Sequence, residues 1–220
     1  MKGKRPLSDE EVNLLVTEGF DGRYAARDRA LFALGITTGF RIGTLLRLQL
    51  RHVFKMNNVV RHISLPPSFF KRRSQGQSKR LSHNSREHLR AWIKDLQQTE
   101  IYEWYQEAGR PGDVYLFQSQ EGYNAAMSYP QARKLMVLAA QRAGVHDDAV
   151  STHSMRKTAA KRVLEFYTTE FREGRTTTNP LLLVQMFLGH KDLSATMDYL
   201  SFMADDIPQE LMDVSPPEAL

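Results

Sequence analysis

The feature that most limits the folds open to this chain is its periodicity. Apolar residues recur at helical spacing from one end to the other, and the rhythm breaks once, between Val53 and about His83, where the period shifts toward two. Ser8 with Glu11 three residues on reads as a capping box opening a helix, with Val12, Leu14, Leu15 and Phe20 as its apolar positions. AARDRALFALGITT predicts a second helix from about Ala25 to Thr38, with Leu31, Leu34 and Gly35 buried, and Gly39 stops it. RIGTLLRLQL (41–50) restarts a short helix, leaving Arg41 at a junction where backbone turns aim side chains into a cleft. Further helices are expected over 85–97, 100–108 and 128–144. THSMRKTAAKRVLEFY, NPLLLVQMFLG and DLSATMDYLSF supply three more, and VYLF (114–117) reads as a short strand.

Within the interruption NNVVRHISL alternates, PPSFFKRRSQGQSKR is a polar connection, and LSHN resumes a short extended piece. This predicts a small sheet with a long basic hairpin tip, in which Lys71, Arg72, Arg73, Lys79 and Arg80 stand without a single acid. The fold class is therefore mainly α with a small antiparallel β-sheet, an α+β domain. With 220 residues, 41% of them hydrophobic, the chain can bury one sizeable core.

Composition narrows the chemistry. No cysteine is present, which excludes disulfides, thiolate zinc sites and thiol nucleophiles. No apolar run approaches the ~18 to 20 residues of a membrane helix, and MKGKRPLSDEE lacks a signal peptide's apolar core, so a cytoplasmic protein without a membrane partner is expected. Lys and Arg outnumber Asp and Glu by 30 to 25, and the resulting charge of +5 suits a partner carrying phosphates.

Four clusters stand out: Gly39-Phe40-Arg41, the basic tip with Lys71, His153-Ser-Met-Arg156, and Gly189-His190 with Tyr199 nine residues after the histidine. Singly they are ordinary. His153 and Arg156 suit a surface pair on a helix, and the stripe Leu188, Leu193, Met197 and Leu200 suits burial of Tyr199 as a core aromatic. In chain order they form a set that one reaction requires, transesterification at a DNA phosphodiester. Two guanidiniums, Arg41 and Arg156, suit the nonbridging oxygens as negative charge builds on them. A phenol with a pKa of about 10 needs such a field and a proton acceptor, the role fitting His153. The departing 5′ oxygen needs a proton, which Lys71, or Lys79 as its rival, is suited to deliver. His190 would donate a further hydrogen bond to the phosphate, and Gly189 lets the preceding helix end close to the DNA. Arg72, Arg73, Lys79, Arg80 and Lys157 are candidate DNA contacts.

At this point the sequence resembles the tyrosine recombinases, the phage integrase family. TTGFRIGTLLRLQLRHV resembles the family's first arginine box, THSMRKTAAKRVL its His-x-x-Arg box, and LGHKDLSATMDYL its closing Leu-Gly-His-x8-Tyr box, with the resemblance running from Leu7 to about Phe202. It implies the family's catalytic-domain fold over 1–203, a C-terminal tail over 204–220, and no N-terminal core-binding domain, the chain being either a naturally short recombinase or a fragment. It further implies cofactor-free and metal-free strand exchange on double-stranded DNA through a 3′-phosphotyrosyl intermediate, with Tyr199 as nucleophile and Arg41, Lys71, His153, Arg156 and His190 in support. A tetramer on DNA is expected from a protein that is monomeric when free. The tail, with a short helix around Gln209 to Val214 and apolar Ile207, Leu211, Met212 and Val214, either docks on a neighbouring subunit, folds back or stays mobile. The alternatives are a type IB-like topoisomerase and a non-cleaving DNA-binding accessory protein on the same fold. Departures from the family pattern are Thr44 where an acid is usual, a long basic connection between Ser64 and Leu81, and an extra loop at 170–179. The target site, the choice among integration, excision, inversion and resolution, and the accessory factors are not encoded in these motifs.

Overall fold

A computed structural model describes residues 5–70, 75–120, 122–145 and 150–200. The chain opens with α1 (Asp9–Leu14), whose start is the expected capping box: Ser8 Oγ accepts from the Glu11 N–H at 3.1 Å while the Glu11 carboxylate accepts from the Ser8 N–H at 2.9 Å. Arg5 clasps the same carboxylate, and the Leu7 N–H donates to Thr158 Oγ1 at 2.8 Å, which pins this entry to a distant helix. After a π turn (Leu15–Gly19) comes α2 (Ala25–Thr38), the helix around which the larger core is built. Ala30, Leu31, Phe32, Ala33 and Leu34 are buried in succession, so α2 is enclosed on all sides, not amphipathic. A Cβ at Gly35 would meet Met155 Sδ at 2.6 Å, so this glycine sets how closely the helix carrying Met155 approaches.

Short helices α3 (Ile42–Leu45) and α4 (Leu50–Val53) lead into the extended region. One small sheet was the expectation; two separate two-stranded antiparallel pairs are found. Strands β1 (Phe54–Lys55) and β2 (Asn58–Val59) join through Met56 and Asn57, both at positive φ, the geometry that matches hairpin twist. Strands β3 (His62–Leu65) and β4 (Gln77–Arg80) pair with Ile63 opposite Lys79. Lys71, Arg72 and Arg73 lie outside the described residues. VYLF is not a strand: Gln49 and Tyr115 form an isolated bridge, because the segment beside it is the irregular stretch before α4. LSHN is not extended either, since Ser82 caps α5 (His83–Leu96), accepting from the Ser85 N–H at 3.1 Å.

The remaining helices are α6 (Glu100–Glu107), α7 (Tyr129–Arg142), α8 (Thr152–Arg172), α9 (Pro180–Leu188) and α10 (Ser194–Leu200). Helix α8 runs past Tyr167 and absorbs the first residues of the expected loop at 170–179, leaving 173–179 as the connection. The larger core collects side chains from α1 to the start of α8. A satellite core of Ala160, Leu164, Leu181, Val184, Leu188 and Leu200 holds α8, α9 and α10 together. Among the described residues no helix is long and apolar enough to cross a membrane. The tail over 204–220, with its expected short helix, lies outside the described residues.

Candidate active site

The site is assembled from helix ends. Gly39 terminates α2 in the left-handed region at φ 61°, and the chain turns through Phe40 into Arg41, which stands with extended backbone at the start of α3. Arg41 is exposed, as expected of a side chain at that junction. Thr44, where the family pattern has an acid, is buried in α3.

Helix α8 begins at Thr152, with Ser151 capping the His153 N–H at 3.3 Å. One turn on, Arg156 is 5% exposed and heavily partnered. Its Nη1 donates to the Gly39 carbonyl, and its Nη2 donates to the Leu188 carbonyl at 3.0 Å and lies 3.2 Å from His190 Nε2. The guanidinium thus faces the C-terminal ends of both α2 and α9, where helix dipoles leave partial negative charge. Gly189, at φ 62°, ends α9 and turns the chain so that His190 reaches Arg156.

Since Arg156 can only donate, His190 accepts at Nε2 and carries its proton on Nδ1, which lies 3.0 Å from Thr196 Oγ1. Thr196 is fully buried on α10 and is a positioning group that sequence reasoning passed over; its spacing between His190 and Tyr199 was the available signal. The backbone carbonyls of Gly39 and Leu188 were likewise invisible in side-chain motifs.

Tyr199 sits one turn after Thr196 on α10. Its ring centroid is 5.6 Å from that of His190, 5.8 Å from the Arg156 guanidinium carbon and 5.5 Å from Lys157 Nζ. The hydroxyl is buried, with the Arg156 guanidinium near it but no hydrogen bond of good geometry. Burial pushes the phenol up to about 12, against the smaller opposing pull of Arg156 and Arg41. Tyr199 therefore has both characters weighed above: it packs on the satellite core and also adjoins two of the expected site residues. The residue as a whole is partly exposed, and it is the hydroxyl that is covered.

His153 is exposed, and partial burial of its ring with the nearby charges of Arg156, Lys157 and Arg41 holds its pKa below the ordinary histidine value. It is thereby kept neutral, the form that accepts a proton. Desolvation likewise lowers Lys157. Lys79 is buried, its ammonium donating to the Phe187 carbonyl and lying 4.1 Å from the Phe187 ring centroid, whereas neighbouring Arg80 is exposed. Arg41, His153, Arg156, His190, Tyr199 and Lys157 thus share one region. Lys79 adjoins it through Phe187 at the end of α9, and Lys71, Arg72 and Arg73 lie outside the described residues. Among the described residues, no three His, Asp or Glu side chains gather as metal ligands would.

Comparisons with known proteins bear on the family and the fold. The family model described as Phage integrase family matches residues 5–204. Tyrosine recombinase XerC of Pseudomonas putida is 27% identical over 205 residues, covering 90% of this chain and 57% of that protein, so the chain spans little more than half the length of this relative. Among solved structures, the XerH site-specific recombinase bound to palindromic difH substrate in a post-cleavage complex aligns with a TM-score of 0.63 at 18% identity, over 96% of this chain and 54% of that one. The XerA recombinase aligns at 0.62 and 18%, over 94% and 67%. The Tn1549 transposon integrase in complex with transposon right end DNA aligns at 0.61 and 14%, over 90% and 62%.

Proposed function

Because this chain belongs to the phage integrase family, we propose that it cleaves and rejoins double-stranded DNA at a specific site through a 3′-phosphotyrosyl intermediate. The observation that carries the reading is the meeting of Arg156, His190 and Tyr199 at the ends of α2 and α9, with the charge of Arg41 felt at both Tyr199 and His153.

In this reaction Tyr199 Oη attacks the phosphorus, its proton passes to neutral His153, and the bond to the 5′ oxygen breaks as that oxygen takes a proton from Lys71. Arg41 and Arg156 stabilise the negative charge that develops on the nonbridging oxygens, and His190 adds a hydrogen bond once its Nε2 leaves Arg156 and takes up a proton. Attack by the freed 5′ hydroxyl of a partner strand reverses the steps and releases the tyrosine, so bond energy is conserved without a cofactor. Arg72, Arg73, Arg80 and Lys157 supply phosphate contacts. Recombination then requires a tetramer on two sites. The apolar residues Ile207, Leu211, Met212 and Val214 of the tail dock on a neighbour, a reading supported by the groove between α1, α5, α8 and α9, where Phe166 and Met186 are exposed.

The buried, protonated hydroxyl of Tyr199 requires α10 to shift when DNA arrives. It is also the one observation that favours a second reading, a non-cleaving DNA-binding protein on the same fold. A duplex nicked beside the site, which traps the phosphotyrosyl form, separates the two. A covalent protein–DNA adduct supports cleavage, and unaltered binding with no adduct on a verified site supports the second reading. Relaxation of any supercoiled plasmid regardless of sequence would instead indicate a topoisomerase.

A further inference from the structure

The last four carbonyls of α9 each have a partner, and two of those partners are cations from distant parts of the chain. The His190 N–H donates to the Gln185 carbonyl at 3.0 Å and the Gly189 N–H to that of Met186 at 3.1 Å. The Leu188 carbonyl accepts from Arg156 at 3.0 Å, and the Phe187 carbonyl accepts from the Lys79 ammonium. A helix end leaves these groups without intrahelical partners and carries partial negative charge, so a buried ammonium is well matched to it. Lys79 is 8% exposed on the inward face of β4, and the Phe187 ring beneath its Nζ is also the group a Cβ at Gly39 would strike, at 2.7 Å from Cε1. The Gly39 carbonyl in turn accepts from Arg156. Lys79, Phe187, Gly39 and Arg156 form a closed circuit from the β3–β4 hairpin to the guanidinium.

We infer that Lys79 is a positioning residue: it fixes the last turn of α9, and through it Arg156 and His190, without touching DNA or delivering a proton. This rests on the DNA-cleaving reading above and goes beyond it by removing Lys79 from the proton-transfer step. An ammonium turned onto a helix end and covered by a phenyl ring is already engaged within the protein.

The test uses nicked duplexes with two leaving groups, the ordinary 5′ oxygen and a bridging 5′ sulfur, which departs without protonation. Lys79→Met is expected to slow adduct formation on the order of 10²-fold with both, the usual cost of a small misplacement. Lys79→Arg keeps a donor and a cation over Phe187 but releases no proton at neutral pH, and is expected to stay within about tenfold of the native protein on the oxygen substrate. Rescue of either variant by sulfur alone, or undiminished activity of Lys79→Met, overturns the inference. Should Lys79→Met not fold, Lys79→Arg decides: a loss equal on both leaving groups is a loss of position, and a loss on oxygen alone is the loss of an acid. A readout independent of cleavage is the His190 ring resonances, expected to move in Lys79→Met and not in Arg80→Ala; unmoved resonances also overturn the inference. Absence of an adduct with the native protein on a verified site, with the His190 shift present, counts against the cleavage reading and not against this one.

Discussion

Nη2 of Arg156 stands 3.2 Å from Nε2 of His190, across 34 residues of sequence, with the other imidazole nitrogen 3.0 Å from Thr196 Oγ1. Arg156, which can only donate, fixes the imidazole tautomer, and the proton left on Nδ1 is received by a hydroxyl on α10 that orients the ring. Thr196→Val keeps the volume and removes that hydroxyl. It is expected to slow adduct formation about tenfold while leaving DNA affinity unchanged, the pattern of a lost orienting partner. Single-turnover kinetics beside a binding isotherm check it.

Tyr199→Phe removes the proposed nucleophile and also a buried hydroxyl that makes no well-formed hydrogen bond. Adduct formation is expected to vanish with affinity retained. The stability of the DNA-free protein should change by less than ~1 kcal/mol, because the buried hydroxyl makes no well-formed hydrogen bond and has only the nearby Arg156 to lose. Denaturant unfolding together with a gel for the covalent species measures both.

The pH dependence follows from His153, whose pKa is depressed by burial and by Arg156, Lys157 and Arg41. In the unfolded chain it takes up a proton near the ordinary value of 6.5. Its contribution to stability is complete above 6.5 and is lost as pH falls toward the folded value. The same protonation removes the proposed base. Adduct formation is therefore expected to hold as pH drops to 6.5 and to fall below it, and His153→Gln should flatten that limb. A rate–pH profile at constant ionic strength is the measurement.

Gly39 is both left-handed and in contact with Phe187, so Gly39→Ala meets a backbone penalty and a ring in the same place. Destabilisation of roughly 1–3 kcal/mol is expected. Activity should fall further than stability accounts for, because the Gly39 carbonyl also receives Arg156. Comparing adduct rates at temperatures where both proteins are fully folded isolates the second effect.

Affinity for DNA should fall steeply with salt, as phosphate contacts release counterions. Arg80 is exposed beside buried Lys79. Arg80→Ala is expected to reduce the slope of log affinity against log salt by about one, uniformly across sequences. Titrations at several salt concentrations check this.

Much of the scaffold could be read from the residues. The end of α2 follows from Gly39, and the start of α1 from Ser8 and Glu11, because capping and left-handed turns are local decisions. The clusters around Arg41, His153-Arg156 and His190-Tyr199 were legible because reactive side chains keep fixed spacings on helices. What escaped depends on neighbours. LSHN looked extended, yet the hydroxyl of Ser82 makes a better helix start than a strand end. Lys79, in a run of basic residues, reads as solvated until the end of α9, 108 positions away, is brought against it. The stripe Leu188, Leu193, Met197 and Leu200 did suit burial of Tyr199, but that the buried ring also adjoins Arg156 depends on how α8 and α10 meet.

Helix α9 carries its own start, since Asn179 accepts from the Leu181 N–H at 2.7 Å with Pro180 in the first turn, while its far end is held by Lys79 and Arg156. Its placement therefore owes nothing to the length of the connection at 173–179, and lengthening a surface connection costs little closure entropy. That stretch is a natural point of insertion, where a fluorescent label or a grafted peptide can enter the polypeptide while the distances around Arg156 stay as they are.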